Sequence, residues 1–546
     1  MTNTLANISK KTANMLDLPN EILDMIAAYV IPNHTIEVME GIPRLALREP
    51  KSPNVFFESG ESSAARVWSM SMQDARNFAL VCRRFKPVME RWMYNHISVL
   101  EDFYCDCCNQ YPRTALPNLV RTLMARPDLA RRCVRLDTWM RDRRLISKCN
   151  EQPEANPYHE TFKIARLHAM VVGFKTLGDK PLLWLQELEK YQEAALHAVL
   201  ISLLPNLKDL RMHGPLIHAA MFRYVDPARE ERPLTEPIDP RYFDTVLKKS
   251  SLTSIHVGIP WPIKHFPRAT LTTMEVDILF FADRIDLIEC REMLPNVHTV
   301  AVIINFAIFV GRNLDAHTPR QKAYIGLQLF LRYIVPNVKH FSIEMPRGKL
   351  EYAQTMEMYN RQGEPLPAFI NMNDDMQDIE ETPVDNGHER TAWDWLLRAL
   401  LPVKTTLISL SVPRNWYSST GFMVKSMPSL SGFTNLETLS LPRVALVSNS
   451  NSLSYHPSDD CAAVDFLPKN LKTLVIFQAD VDSCEWVQAA FAEKHLYFKK
   501  WQNLGLAFRN DIEATLTPAF GVEAGEAGLE VRAFWRGQYK VVAWPK

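Results

Sequence analysis

Eight short segments of this chain repeat one arrangement, with apolar residues at the first, fourth and sixth positions, usually entered from Pro-Asn, Ser or Thr-Asn. They read LPNLKDLRM (204–212), SSLTSIHV (250–257), ATLTTMEV (269–276), LPNVHTVAV (294–302), VPNVKHFSI (335–343), TTLISLSV (405–412), TNLETLSL (434–441) and KNLKTLVI (469–476). One such match carries nothing in a chain that is 47% hydrophobic. Eight sharing the same lead-in chemistry predict a repeat array. The last two apolar positions alternate as inward-facing residues of a short strand do, and the first caps the turn that feeds it.

Helical patterns precede several copies: LWLQELEKYQEAALHAVLISLL (183–204), IGLQLFLRYIV (325–335) and AWDWLLRALL (392–401). Each unit therefore reads as helix, turn and strand, unable to bury its apolar face until a neighbour stacks on it. The expected fold class is α/β, a curved solenoid with parallel strands. Its units are unequal, from the 19 residues separating Leu252 and Leu271 to the 69 separating Val338 and Leu407, whereas regular leucine-rich repeats run about 20–29 residues. The array is irregular and leucine-rich-repeat-like. Its surplus lies in the polar or proline-rich stretches 226–240, 346–390 and 447–460, expected as loops on one face. Trp393 and Trp395, on one amphipathic helix, are expected in the core.

The first hundred residues read differently. Leu16, Ile22, Leu23, Ile26 and Tyr29 have helical spacing after Leu18-Pro19-Asn20-Glu21, where a proline early in a helix costs no hydrogen bond. Residues 31–73 are proline- and serine-containing and read as an inserted loop. A second apolar face, Ala75, Phe78, Ala79, Cys82, Phe85 and Val88, follows. Pro87 marks a new helix start, Met89, Trp92 and Met93 continue its apolar face, and Ile97 and Val99 alternate as in a short strand.

LPNEILDMIAAYV (18–30), continued by DARNFALVCRRFKPVMERWMYNHISV (74–99), resembles the F-box family. Leu18, Pro19, Glu21, Ile22 and Leu23 match its opening. Ala79, Val81, Cys82, Arg83, Arg84 and Phe85 match its later run, and Trp92 stands near the aromatic position of its third helix. The chain departs from the family in the insertion 31–73. Behind the box, LVRTLMARPDLARRCVRLDTWM (119–140) looks like the first repeat of fungal F-box proteins with leucine-rich-repeat-like tails. The resemblance implies a three-helix F-box over residues 1–100 and the solenoid over 101–546. It further implies docking to a Skp-type adaptor through Leu18, Pro19, Glu21, Ile22, Ile26, Leu80, Val81, Cys82, Phe85 and Trp92. Burial of apolar side chains in an adaptor groove would supply the affinity.

Charge and motifs narrow the remaining classes. Lys plus Arg and Asp plus Glu both total 62, so no global field draws the chain to nucleic acid or a membrane. The strongest local imbalance is the arginine-rich stretch 113–148, expected to be a solvated face. No apolar run is long enough to span a bilayer as a helix, and no secretory leader is visible at the N-terminus, so a cytoplasmic or nuclear location is expected. Cys105, Cys107 and Cys108, with Cys133, Cys149 and His96, are the residue types of a zinc site but lack its paired spacing, and no metal or other cofactor is expected. Phosphate-cradling loops and nucleophile elbows are absent from the sequence and glycine is scarce, at 18 residues, so no catalytic residues are assigned. The expectation is a non-enzymatic substrate-receptor subunit of a cullin-RING (SCF-type) ubiquitin ligase, joining the adaptor and cullin scaffold to an unidentified protein substrate. The alternative is a scaffold or regulatory protein-binding module unconnected to ubiquitin transfer.

Overall fold

The computed structural model describes Leu23 and residues 85–99, 115–139, 158–176, 181–213, 246–248, 250–257, 266–277, 294–303, 319–344, 392–412, 427–447, 461–508, 516–535 and 538–543. Within them lies one 13-stranded sheet whose strand order is the chain order. β1 (His96–Val99), β2 (Arg135–Trp139), β3 (Asp209–His213), β4 (Ser254–Val257), β5 (Thr273–Asp277) and β6 (Thr299–Ile303) form its first half. β7 (His340–Glu344), β8 (Ser409–Ser411), β9 (Thr438–Pro442), β10 (Thr473–Ala479), β11 (Asn503–Phe508), β12 (Glu530–Trp535) and β13 (Gln538–Ala543) complete it. Every neighbouring pair from β1 to β12 is parallel, and β13 turns back antiparallel on β12. The eight repeated segments supply β3 to β10 in order. β11, β12 and β13 lie beyond them.

Register explains the apolar spacing. The fourth-position residues Leu210, Ile255, Met274, Val300, Phe341, Leu410, Leu439 and Leu474 are paired strand to strand in one row, which Ile97 and Leu136 extend on one side and Leu504 and Val531 on the other. All are buried. A second row runs through Val99, Thr138, Met212, Val257, Val276, Val302 and Ile343, two residues further on. Because strand side chains alternate between faces, these two rows put one whole face of the sheet into the core. Each large aliphatic side chain so buried contributes about 1.5–3 kcal/mol.

The lead-in residues join the turns. In all eight units, the residue just before the first apolar position donates its side chain to a backbone carbonyl of the preceding unit. The asparagines are Asn206 to Arg131 (2.6 Å), Asn296 to Ala269 (3.2 Å), Asn337 to Pro295 (3.0 Å), Asn435 to Thr405 (2.5 Å) and Asn470 to Thr434 (2.5 Å). The hydroxyls are Ser251 to Leu207 (3.3 Å), Thr270 to Leu252 (2.6 Å) and Thr406 to Val338 (2.9 Å). Asn, Ser and Thr each combine a short neutral side chain with a good donor, which suits the lead-in to those types.

Helices cover the inner face. α1 (Phe85–Asn95), α2 (Ala115–Ala125), α3 (Pro127–Ala130), α4 (His159–Thr176), α5 (Pro181–Glu189) and α6 (Glu193–Ser202) precede β3. α7 (Pro319–Tyr333) and α8 (Ala392–Leu400) precede β7 and β8. In α6 every residue from Glu193 to Ile201 is buried, since it packs against α2, α4 and α5 at once. The single helical pattern read over 183–204 is broken into α5 and α6 at Tyr191, whose φ is +59°. Apolar periodicity does not register that break; tertiary contact holds it, with the Tyr191 hydroxyl 2.8 Å from His159 Nδ1 and its ring edge-on to Phe162. On α8, Trp393 is fully buried and Trp395 packs against the core from its rim.

Candidate interaction surface

Of the residues expected to dock the adaptor, Leu18, Pro19, Glu21, Ile22, Ile26, Leu80, Val81 and Cys82 lie outside the described residues. Leu23, in the same opening motif, is helical and buried. Phe85 begins α1, and Trp92 sits on that helix, half-buried, with its indole Nε1 enclosed and without a hydrogen-bond partner among the described residues. α1 is fastened to the units behind it. Met89 is fully buried, Arg126 Nη2 lies 3.3 Å from Glu90 Oε2, and Arg132 donates to the Pro87 carbonyl at 3.2 Å. Arg126 also grips Asp128 through two bonds, 2.8 and 2.9 Å, at the Arg-Pro-Asp-Leu corner where Pro127 opens α3.

Between the two buried rows, the intervening strand residues face the other side of the sheet. There Asp137, Arg211, His256, Glu275, Ala301, Ser342, Ser411, Ser440, Val475, Gly505 and Arg532 follow one another across β2 to β12. This row is divided by chemistry into a charged start, a small polar middle and an apolar stretch near the end.

The charged part is one network. Asp137 Oδ2 accepts from His96 Nε2 at 2.9 Å and from Arg135 Nη2 at 3.2 Å. Arg135 reaches Asp209 at 3.6 Å, Arg211 reaches Asp137, Asp209 and Glu275 at 3.8, 3.9 and 3.7 Å, and His256 Nδ1 stands 3.1 Å from Glu275 Oε1. Burial alone would raise the Asp137 carboxyl, but the His96 bond and the Arg135 and Arg211 guanidiniums hold it well below the usual carboxylate range. Asp137 is therefore ionised, an acceptor only, and His96 Nε2 must carry the proton it shares.

In the middle, Ser342 and Ser440 are buried and their hydroxyls have no hydrogen-bond partner among the described residues. Further along, Val475, Phe477 and Ala507 pack together as a cluster separate from the main core. Gly505 permits this, since a Cβ there would lie 3.3 Å from Val475 Cγ2. The apolar spacing alone does not register this face. The signal was nevertheless present in Arg-Leu-Asp, Leu-Arg-Met, Ile-His-Val and Met-Glu-Val, charged residues set beside inward apolar ones in successive units.

The cysteine-rich region is represented by Cys133. Its thiol is buried, donates to the Arg135 carbonyl at 3.3 Å and is pushed up to about 12 by desolvation, while His96 is engaged with Asp137. Cys105, Cys107, Cys108 and Cys149 lie outside the described residues. Among the described residues no group of three or more His, Cys, Asp or Glu could hold a metal ion, and no helix is long and apolar enough to cross a membrane.

Comparison of the sequence with protein-family models and with curated proteins returns no match.

Proposed function

We propose that this chain is a substrate-receptor subunit of a cullin-RING (SCF-type) ubiquitin ligase, docking to a Skp-type adaptor through an F-box and holding a protein target on a leucine-rich-repeat-like solenoid. The observation that carries the reading is the order of features along the chain. The two F-box-like halves, LPNEIL at 18–23 and ALVCRRF at 79–85, come first, and a chain-ordered parallel sheet follows with little between. The buried helical Leu23, and α1 bearing Trp92 on the way into β1, fit an adaptor-binding helical unit mounted on the array. The chain performs no ubiquitin chemistry in this reading; it brings a target to subunits that do.

Co-expression with a Skp-type adaptor and its cullin tests the proposal. Recovery of all three together, abolished by Leu18→Ala combined with Pro19→Ala while the thermal transition is retained, is expected. Adaptor binding that survives the double substitution sinks the site assignment. Recovery of adaptor without cullin, or of neither, favours the scaffold reading.

A further inference from the structure

α4 is apolar on two faces. Phe162, Ala165 and Ala169 are buried against the core, whereas Ile164, Leu167 and Val171 are 39%, 59% and 57% exposed. The exposed three fall at i, i+3 and i+7, one stripe about 10 Å long, which is two turns of helix. A soluble helix ordinarily turns polar residues outward, so an apolar outer stripe marks a surface with a use. The stripe lines a groove of about 510 Å³ together with Leu123 and Met124 of α2 and with Leu203.

The charge of the groove narrows what it takes. Among the described residues Arg131 lines it and no carboxylate does. The Arg131 backbone is fixed, its N–H donating to the Pro127 carbonyl and its own carbonyl accepting from Asn206, while its exposed side chain has no ion-pair partner among the described residues. Nearby charges are already engaged: Arg126 with Asp128 and Glu90, Arg166 with Glu189, Lys163 with Glu160. One unopposed cation beside a two-turn apolar stripe complements an amphipathic helix with acidic flanks.

We infer that this groove between α2 and α4 docks an acidic amphipathic helix of a partner protein, on the opposite side of the sheet from the charged strand face. It would be a second recognition site, independent of the proposed adaptor docking.

The test uses the full chain and two fluorescein-labelled helical peptides, each with leucines along one face; the remaining positions are glutamates in one and lysines in the other. The acidic peptide should bind saturably by anisotropy and at least about tenfold more tightly than the basic one. Leu167→Asp should weaken it about tenfold, and Arg131→Glu should erase or invert the preference. Leu167 is mostly exposed, so its substitution should leave the melting transition in place; Val171→Asp serves as an independent variant if it does not. Non-saturating binding, equal binding of both peptides, or indifference to Leu167→Asp and Val171→Asp overturns the inference. So does a self-association that these substitutions abolish, which would make the occupant a second copy, or a preference for phosphatidylserine vesicles over the peptide.

Discussion

Asn337 Nδ2 donates to the Pro295 carbonyl across 3.0 Å, tying the turn before β7 to the turn before β6, although 42 residues of chain separate them. The same relationship, with Asn, Ser or Thr as donor, recurs at every one of the eight repeated segments, so a bond between one pair of turns is part of a ladder running down the array. Units of very different length keep the same turn and strand because the surplus residues follow the strand in the sequence and do not lie within the turn.

Asn337→Ala should therefore destabilise the protein by about 1 kcal/mol, the net value of one such bond. Asn337→Asp should cost at least as much, since a carboxylate cannot donate and would face the carbonyl. Urea denaturation with unchanged slope checks both.

Asp137 links the network to pH. Its native pKa is depressed by His96, Arg135 and Arg211 against the opposing effect of burial. The stability it contributes is complete above its unfolded value of about 3.9 and is lost as pH falls through the depressed native value. The wild-type chain should lose stability on acidification below about pH 4. Asp137→Asn should cost about 2 kcal/mol at neutral pH and flatten that acid slope. Melting temperatures of both proteins across the acid range decide it.

Cys133 and Cys484, each pushed up to about 12 mainly by burial, should be protonated and inert at pH 8 in the folded protein. Alkylation by iodoacetamide followed by mass spectrometry should label them only after unfolding. Labelling of either at the rate of the denatured chain would contradict their enclosure.

Gln478 has φ +57° at the irregularity in β10 between Phe477 and Ala479, a left-handed conformation that costs a non-glycine residue about 1 kcal/mol. Gln478→Gly should stabilise the protein by up to that amount. A lowered denaturation midpoint would show that its side chain contributes more than its backbone costs.

Leu439 and Ser440 are neighbours on opposite faces of β9, both fully buried. Leu439→Ala should cost about 2–5 kcal/mol through the cavity it leaves. Ser440→Ala should be neutral or stabilising, because it removes a buried hydroxyl that has no partner among the described residues. Paired thermal melts distinguish the two.

The strand rows were legible in the sequence because inward positions repeat every second residue in every unit, and the lead-in was legible because its chemistry is confined to a few donor side chains. β11 was not, since it is entered through Trp501, where the repeated segments have Leu or Val, and β12 and β13 stand outside the repeated pattern altogether. The strand-face network was not either. His96, Asp137, Asp209, Arg211 and Glu275 are spread over nearly 180 residues, and local patterning carries no information on which charges a parallel register makes adjacent.

By itself, then, the sequence determined the period: which residues alternate inward, which donors open each turn, and hence an α/β chain of stacked strand units. Tertiary structure alone decided the break at Tyr191, the apolar outer stripe of α4 and the joining of charges across five strands. Each depends on what a residue meets from a distant part of the chain, and burial and Coulomb interactions act through space regardless of sequence separation.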